Sequence, residues 1–298
     1  MITREPSRAS PSQVLVDDHV YKVNSVRDGG MGRVWILEKA FNSDPHPVYR
    51  HRIAVKTFDF MDDEQAIERE LNIWISLDHP SIVPLKRIGR LNYRIAAIMP
   101  LFPGSLSDVL RKHGAIDDEG TARVMLAICD GLAYAWSRFR VLHLDLKPAN
   151  VLTADAFLIQ PRIADWGISR LATHSTGDAH RPGTTDYSDR TSYGAGTPLY
   201  MAPERFSGEW ALSPAADVFA CGMIALELST GVLPFRFNGM NPVQEIVDGT
   251  YLRNAHRLLE DRSKRFREFC LRCLHPDPNL RPHDYDSITR EIRSISRS

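Results

Sequence analysis

The sequence predicts an α+β fold, in which a small sheet with one helix is followed by a larger, mainly helical part. Up to about residue 101, β-branched and apolar residues occur in segments of strand length. Beyond Gly104 the apolar residues change to helical spacing. The length of 298 residues fits one large domain or two lobes that share an interface.

The first third of the chain is predicted to contain four strands and one helix. The strands are expected at 20–26, 32–38, 53–58 and 94–99. The helix is expected at 63–77, because Ile67, Leu71 and Trp74 fall on one face and Asp62 or Asp63 can cap its start. Residues 1–13 are rich in Ser, Pro and Arg and predict a disordered arm.

The last two thirds are predicted to be mainly α-helical. Helices are expected at 121–139, 214–230, 242–248, 264–273 and 285–295. The segment 173–196 is dense in Ser, Thr, Gly, Asp and His and has almost no large apolar residue. A segment of this length and composition predicts a mobile surface loop, which is usually functional or disordered.

The composition excludes several classes of protein. Lys and Arg together number 37, as do Asp and Glu, and this balance argues against bulk binding of nucleic acid or an anionic membrane. We find no secretory signal and no run of about 20 apolar residues. The four cysteines form no disulfide framework, and Cys270 and Cys273 are interpreted as two helical positions rather than a zinc site. We therefore expect a cytoplasmic protein.

The first motif with chemical meaning is a glycine-rich segment between two predicted strands. Gly29, Gly30 and Gly32 could form a tight hairpin whose backbone N–H groups approach a phosphate closely. An ordinary glycine-rich hairpin explains the segment equally well at this point.

The second motif is a pair of charges in apolar surroundings. Lys56 interrupts the apolar strand 53–58, and Glu70 falls within the apolar stripe of the helix 63–77. Either both side chains reach water, or they pair with each other and hold Lys56 against an anionic ligand.

The third motif is a set of polar residues between apolar, strand-like segments. Asp145, Lys147, Asn150 and Asp165 combine two carboxylates, an amide and a cation. Hard oxygen ligands and a possible base are what a Mg²⁺–triphosphate site requires. Turns capped by Asp or Asn explain any one of these residues, but not all of them at this spacing.

With these motifs the chain resembles a eukaryotic-type (Hanks-type) Ser/Thr protein kinase over about residues 21–295. Three further segments match in the right order. GTPLYMAPE at 196–204 resembles the end of an activation segment, DVFACG at 217–222 the following helix, and DPNLRP at 277–282 contains Arg281. The resemblance implies a bilobal protein kinase fold over 14–298, with an antiparallel N-lobe at about 14–101 and a helical C-lobe at about 102–298. In such kinases the arginine pairs with the glutamate of the Pro-Glu motif.

The resemblance also implies an ATP site. Residues expected to bind ATP are Arg27, Asp28, Gly29, Gly30, Gly32, Val34, Ala54, Lys56, Met99 and Leu152. The glycines would cover the phosphates, Val34 and Ala54 would pack on the adenine, and Leu152 would form the pocket floor. Met99 would be the gatekeeper residue, and Lys56, held by Glu70, would contact the α- and β-phosphates.

The catalytic roles follow from the same resemblance. Asp145 is expected to accept or orient the proton of a substrate hydroxyl, while Lys147 steadies the γ-phosphate. Asn150 and Asp165 are expected to hold Mg²⁺ or Mn²⁺. Lys147, two positions after Asp145, and Thr197 match the pattern of kinases specific for Ser and Thr rather than Tyr. The expected partners are therefore ATP and a protein substrate with Ser or Thr. The Gly-Gly-Met-Gly loop and the short chain without insertions resemble bacterial members of the family more than animal ones.

Three positions depart from the family pattern. Arg27 stands where the first loop glycine is usual, and Trp166 replaces the Phe of Asp-Phe-Gly. Leu144 stands where many members have the arginine that pairs with a phosphate on the activation segment, and leucine cannot do so. We therefore hypothesise that activity does not require this phosphorylation. The candidate acceptors are Thr184, Thr185, Ser188, Thr191 and Ser192.

Two other classes of protein stay open at this point. A pseudokinase would bind nucleotide as a scaffold without catalysis, and Arg27 and Leu144 are the features in its favour. A small-molecule phosphotransferase of the aminoglycoside- or choline-kinase type would share only the catalytic loop and the metal aspartate. It would lack the 198–204 segment and Arg281.

Overall fold

The computed structural model describes residues 11–29, 32–39, 52–58, 64–154, 160–166, 170–171, 199–207, 213–235 and 241–295. The chain divides into two compact units, of which the first comprises Met1–Ser76 and Pro84–Leu101 and the second Leu77–Val83 and Phe102–Ser298. Several predicted features lie outside the described residues, namely the arm up to residue 10, Gly30, the 173–196 loop with its candidate acceptors, and Thr197.

The first unit is built from an antiparallel barrel and one helix. Its elements are β1 (Gln13–Val16), β2 (His19–Gly29), β3 (Gly32–Lys39), β4 (Arg52–Phe58), α1 (Glu64–Ile75), β5 (Arg87–Leu91) and β6 (Arg94–Pro100). The strands follow the order β1-β2-β3-β4-β6-β5, and the pair Val16–Leu91 closes the ring. Trp35, Val55 and Ile98 lie in the buried core of the barrel.

The sequence pattern identified most of this unit. The four predicted strands and the predicted helix are present with end points that differ by up to three residues. The sequence pattern does not predict strands β1 and β5, and Gln13 is the first residue of β1 rather than the end of a disordered arm. Both strands are short, and their pairing with each other through distant residues has no signature in the local sequence.

The second unit is mainly helical. Its helices are α2 (Leu106–His113), α3 (Asp118–Phe139), α4 (Glu204–Ser207), α5 (Pro214–Thr230), α6 (Pro242–Val247), α7 (Tyr251–Leu258), α8 (Lys264–Cys273) and α9 (Tyr285–Ile295). The short strands are β7 (Gly104–Ser105), β8 (Val141–Leu142), β9 (Val151–Thr153), β10 (Arg162–Ile163) and β11 (Arg170–Leu171). Two 3₁₀ turns cover Pro148–Asn150 and Pro278–Leu280.

Helix α5 forms the centre of this unit and is almost entirely buried. It packs against α3 and α8, and α3 also packs against α9. Its predicted bounds are confirmed, because Pro214 at the first turn and Gly231 after the last are strong start and stop signals. Helix α3 begins earlier than predicted, at Asp118, because the Asp117 side chain caps it by accepting from the Gly120 N–H.

The cysteines and the hydropathy of the helices bear on the excluded classes. All four cysteines are buried free thiols, including Cys270 and Cys273 on α8. In the part of the chain that the structure describes, no group of His, Cys, Asp or Glu is arranged to hold a metal ion by itself. Among those same residues, none of the helices combines the length and apolarity needed to span a bilayer.

Candidate active site

The backbone between β8 and the Pro148–Asn150 turn, which we call the catalytic loop (residues 143–147), is anchored on a buried carboxylate. Asp217 on α5 is 1% exposed and accepts hydrogen bonds from the N–H groups of His143 and Leu144, both at 2.8 Å. The Tyr285 hydroxyl donates a third, at 3.0 Å. Three donors compensate the burial of this charge, so the start of the loop is fixed to the core.

The side chains of Asp145, Lys147 and Asn150 meet, as the sequence motif predicts. Lys147 Nζ lies 2.7 Å from Asp145 Oδ2, and Asn150 Nδ2 donates to the same oxygen at 3.0 Å. Asn150 Nδ2 also donates to the Asp145 carbonyl at 2.8 Å. The Asp145 side chain is 26% exposed, so a carboxylate held on one side by a cation and an amide is still accessible to a substrate.

Asp165 is joined to this cluster through the backbone. The Ala164 N–H donates to the Asn150 carbonyl at 2.8 Å, and the Ala164 carbonyl accepts from His143 Nε2 at 3.0 Å. His143 Nδ1 accepts from the Asp145 N–H at 3.3 Å, which fixes its proton on Nε2. Asp165 itself has a left-handed backbone, with φ of 66°. The two predicted metal ligands, Asn150 and Asp165, therefore lie on adjoining, cross-linked segments.

Trp166, which replaces the expected phenylalanine, is fully buried. Its ring lies edge-on to the His143 ring at 4.8 Å, with an interplanar angle of 67°. The larger aromatic ring fills an enclosed site, and within the described residues its indole nitrogen has no hydrogen-bond partner.

At the C-terminal end of the predicted activation segment, a buried ion pair fixes helix α4. Arg281 donates to both carboxylate oxygens of Glu204, at 2.7 and 2.8 Å, and the two side chains are 0% and 7% exposed. This is the pairing that the resemblance implied. The Tyr200 hydroxyl donates to Glu227 Oε2 at 2.5 Å. Burial raises the pKa of Glu227 and that of the Tyr200 hydroxyl above their usual values.

The predicted nucleotide residues of the first unit share one face of the barrel. Val34 pairs with Lys56 across β3 and β4, and Ala54 pairs with Met99 across β4 and β6. Because side chains alternate along a strand, all four point away from the barrel core. Lys56 is 6% exposed and its Nζ lies 5.3 Å from the centre of the Phe58 ring.

Two other predicted residues lie on separate elements. Glu70 is half-buried on α1, and its pairing with Lys56 stays a prediction. Leu152 lies half-buried on β9 of the second unit.

The glycine-rich segment is a β-hairpin. Gly29 and Gly32 are the last register partners of β2 and β3, so the antiparallel pairing of the two strands extends to these glycines. Gly32 has φ of 146°, and a Cβ atom there would lie 1.9 Å from the Thr57 carbonyl oxygen, so that only glycine fits. Arg27 is exposed on β2, and the side chain of Asp28 pairs with Arg33 at 3.0 Å.

Sequence reasoning missed two contributors to this site. The DVFACG motif predicts only a helix for Asp217, although this residue anchors the catalytic loop, and no motif includes Arg205, which donates to the Leu144 carbonyl. The pattern DVFACG, with a carboxylate in an otherwise apolar helix, was the available signal for Asp217. No local signal marks Arg205.

Comparisons with known proteins bear on the family and the fold of this chain. Residues 25–291 match the family model described as "Protein kinase domain". Serine/threonine protein kinase OSK3 of Oryza sativa subsp. indica is 29% identical over 76% of this chain. The bacterial kinases PkaA of Streptomyces coelicolor and PknD of Protochlamydia amoebophila are 31% and 27% identical over 76% and 94% of the chain.

These relatives are much longer proteins. The matched region covers 42% of OSK3, 39% of PkaA and 30% of PknD. Among solved structures, Rad53 residues 1–466 in complex with AMP-PNP superposes with a TM-score of 0.68 at 22% identity. That match covers 91% of this chain and 64% of the Rad53 chain, and it shows a shared fold.

Proposed function

Because the chain belongs to the protein kinase family and has its α+β, bilobal fold, we propose that it transfers the γ-phosphoryl group of Mg-ATP to Ser and Thr hydroxyls of proteins. The observation that carries this proposal is the cluster of Asp145, Lys147 and Asn150, anchored through the catalytic loop on Asp217. The curated Ser/Thr kinases that the chain matches support the choice of protein hydroxyls.

Asp145 is the proposed base. The oxygen of the substrate hydroxyl attacks the γ-phosphorus, the bond from that phosphorus to the β,γ-bridging oxygen breaks, and ADP leaves with the bond's electrons. The hydroxyl proton passes to the Asp145 carboxylate. Lys147 Nζ lies 2.7 Å from Asp145 Oδ2, where it orients this carboxylate and places a positive charge beside the transferred group.

Asn150 and Asp165 are proposed to hold a divalent cation. Asn150 uses its amide nitrogen to bind Asp145, so its Oδ1 is the atom oriented to accept a metal. An amide oxygen and a carboxylate are hard ligands, which fit Mg²⁺ or Mn²⁺. A cation held by these two residues would supply positive charge to offset the charge of the phosphates during transfer.

The outer face of the barrel in the first unit is proposed to bind the nucleotide. Lys56, Val34, Ala54 and Met99 share the outer face of the barrel, which places an ammonium group and apolar surface side by side. A cation beside apolar side chains suits a nucleotide, which has a charged phosphate end and an apolar base. The Gly32 hairpin and Arg27 are proposed to cover the phosphates.

We also propose that activity does not depend on phosphorylation of the activation segment. Leu144 is 6% exposed and apolar, so it cannot bind a phosphate as an arginine would. Four free thiols suit a reducing compartment, and we propose a cytoplasmic location.

The test is phosphoryl transfer by the full chain. The chain is incubated with Mg-ATP and a generic protein substrate, then intact masses are measured and modified sites are mapped, with Asp145→Asn as control. We expect phosphate on Ser or Thr with the wild type and almost none with the variant. Nucleotide binding without transfer would identify a pseudokinase, and phosphate on a metabolite alone a small-molecule phosphotransferase.

Phosphatase treatment tests the activation hypothesis separately. The purified chain is dephosphorylated, the phosphatase is removed, and the initial rate on the exogenous substrate is measured before new phosphate can accumulate. We expect the rate to be retained, and its abolition would show that the hypothesis is wrong.

A further inference from the structure

The backbone of Leu144 has a conformation that residues with a side chain rarely adopt. Its φ is 64°, in the left-handed region, and its side chain is 6% exposed. Such a conformation persists only where the surroundings hold it, and it often occurs at functional sites. Leu144 directly precedes Asp145, so its backbone determines the direction from which the Asp145 carboxylate approaches a substrate.

Both backbone polar groups of Leu144 are held by side chains. Its N–H donates to Asp217 Oδ1 at 2.8 Å, and its carbonyl accepts a hydrogen bond from the Arg205 guanidinium. That carbonyl shares a peptide group with the Asp145 N–H, which donates to His143 Nδ1 at 3.3 Å. The peptide between Leu144 and Asp145 is therefore fixed at both of its ends.

Arg205 reaches this peptide from helix α4, which is itself immobilised. The preceding residue, Glu204, forms two hydrogen bonds with the buried Arg281, at 2.7 and 2.8 Å. Arg205 is half-buried, and a hydrogen bond from a charged donor in such surroundings is stronger than one between neutral groups. A continuous set of contacts thus links Arg281, through α4, to the base.

We propose that Arg205 is a positioning residue for Asp145, joining the end of the activation segment to the catalytic loop through the Leu144 carbonyl. This inference rests on the proposed kinase function. It adds to that function a contact that positions the base without a phosphate on the activation segment. The Arg205 guanidinium on α4 supplies a positive charge next to residue 144, where the leucine side chain has none.

The test compares Arg205→Ala and Arg205→Lys in the full chain. Alanine removes the donor, whereas lysine keeps a cationic N–H group that can reach the carbonyl. Arg262→Ala is the matched control, because Arg262 is also half-buried but contacts Asp118 instead of the catalytic loop. For each variant, kcat, KM for ATP, nucleotide affinity and thermal unfolding are measured.

We expect Arg205→Ala to lower kcat by at least about tenfold while KM for ATP changes by less than about twofold, since a misplaced base affects the transition state alone. Arg205→Lys should recover most of the lost kcat, and Arg262→Ala should keep the wild-type value. A positioning role is wrong if Arg205→Ala keeps wild-type kcat, or if lysine fails to recover activity while all variants stay folded. It is equally wrong if the loss of kcat merely follows a loss of thermal stability.

Hydrogen exchange of the peptide 142–147, measured without nucleotide, separates this inference from the proposed function. Removing the Arg205 contact should speed the exchange of this peptide in Arg205→Ala, and Arg205→Lys should restore most of the protection. If the wild type transfers no phosphate but exchange responds in this way, the proposed function fails while the positioning contact stands. Unchanged exchange in Arg205→Ala would overturn the inference whatever the activity.

Discussion

Arg281 offers the sharpest prediction about stability, because all five of its guanidinium N–H groups are paired inside the second unit. Two donate to Glu204, and the others donate to the carbonyls of His275, Ala215 and Pro276 at 2.6, 2.9 and 3.0 Å. Its side chain is 0% exposed. Any change to one partner leaves a buried group of the other without compensation.

The expected magnitudes follow from these contacts. Glu204→Gln leaves a buried cation without its carboxylate and should lower the free energy of unfolding by about 3–5 kcal/mol. Arg281→Met leaves a buried carboxylate and also three carbonyls without donors. At roughly 1 kcal/mol for each carbonyl, its total loss is about 6–8 kcal/mol, comparable with the whole stability of a domain. The double variant Glu204→Gln/Arg281→Met has no buried charge, so only the cost of the three carbonyls and of one neutral amide, about 4–5 kcal/mol, should remain.

The assay is urea unfolding followed by far-ultraviolet circular dichroism, which reports on the helical second unit. Glu119→Gln is the matched control, because its partner Arg123 is 59% and Glu119 itself 66% exposed, and removing such a surface pair should cost less than about 1 kcal/mol. The reasoning is refuted if Glu204→Gln is as mild as Glu119→Gln. It is also refuted if the double variant is no more stable than Arg281→Met.

Two further predictions concern a half-buried histidine and the glycine hairpin. Burial lowers the pKa of His79, and its Nδ1 accepts a hydrogen bond from the Ser81 N–H. Below a pH of about 6.5 the unfolded chain therefore binds more protons than the folded chain, and the free energy of unfolding should fall as the pH drops. His79→Asn keeps the acceptor without titrating, so its thermal unfolding from pH 7.5 to about 5.5 should show a smaller decline; an identical decline would contradict the assignment. Gly32→Ala would bring a Cβ atom to 1.9 Å from the Thr57 carbonyl oxygen. We expect it to lower the free energy of unfolding of the first unit by at least about 3 kcal/mol. Gly114→Ala, also at positive φ but with open space around it, should cost less in the same thermal assay, and equal losses would refute the steric explanation.

The parts of the fold that the sequence predicts best are those with strong local signals. The sequence predicts helix α5 with its observed ends, because Pro214 and Gly231 mark them and most of its residues are apolar. Strand β1, four residues long, and β5, with two arginines and a glycine, lack such signals. They form because the barrel closes, which is a property of the whole unit rather than of either segment.

The residues of the candidate site also differ in how well the local sequence predicts them. The sequence predicts Asp145, Lys147 and Asn150 as members of one Mg²⁺–triphosphate site from their chemistry and spacing, and in the structure their side chains are in contact. The anchoring of Leu144 by Asp217 and Arg205 joins residues that are 73 and 61 positions apart. Contacts of that range depend on how α4 and α5 pack, and no local pattern in the sequence specifies them.

The most direct test of the proposed function is the transfer of γ-labelled phosphate from Mg-ATP to a protein, with the wild type and Asp145→Asn compared at matched nucleotide occupancy. We predict label on Ser or Thr of the protein with the wild type. The variant should bind nucleotide with similar affinity but lose at least about a hundredfold in rate, since it keeps the cluster of side chains but cannot take the proton. Nucleotide binding without transfer in the wild type, or equal rates in the two proteins, would contradict the account.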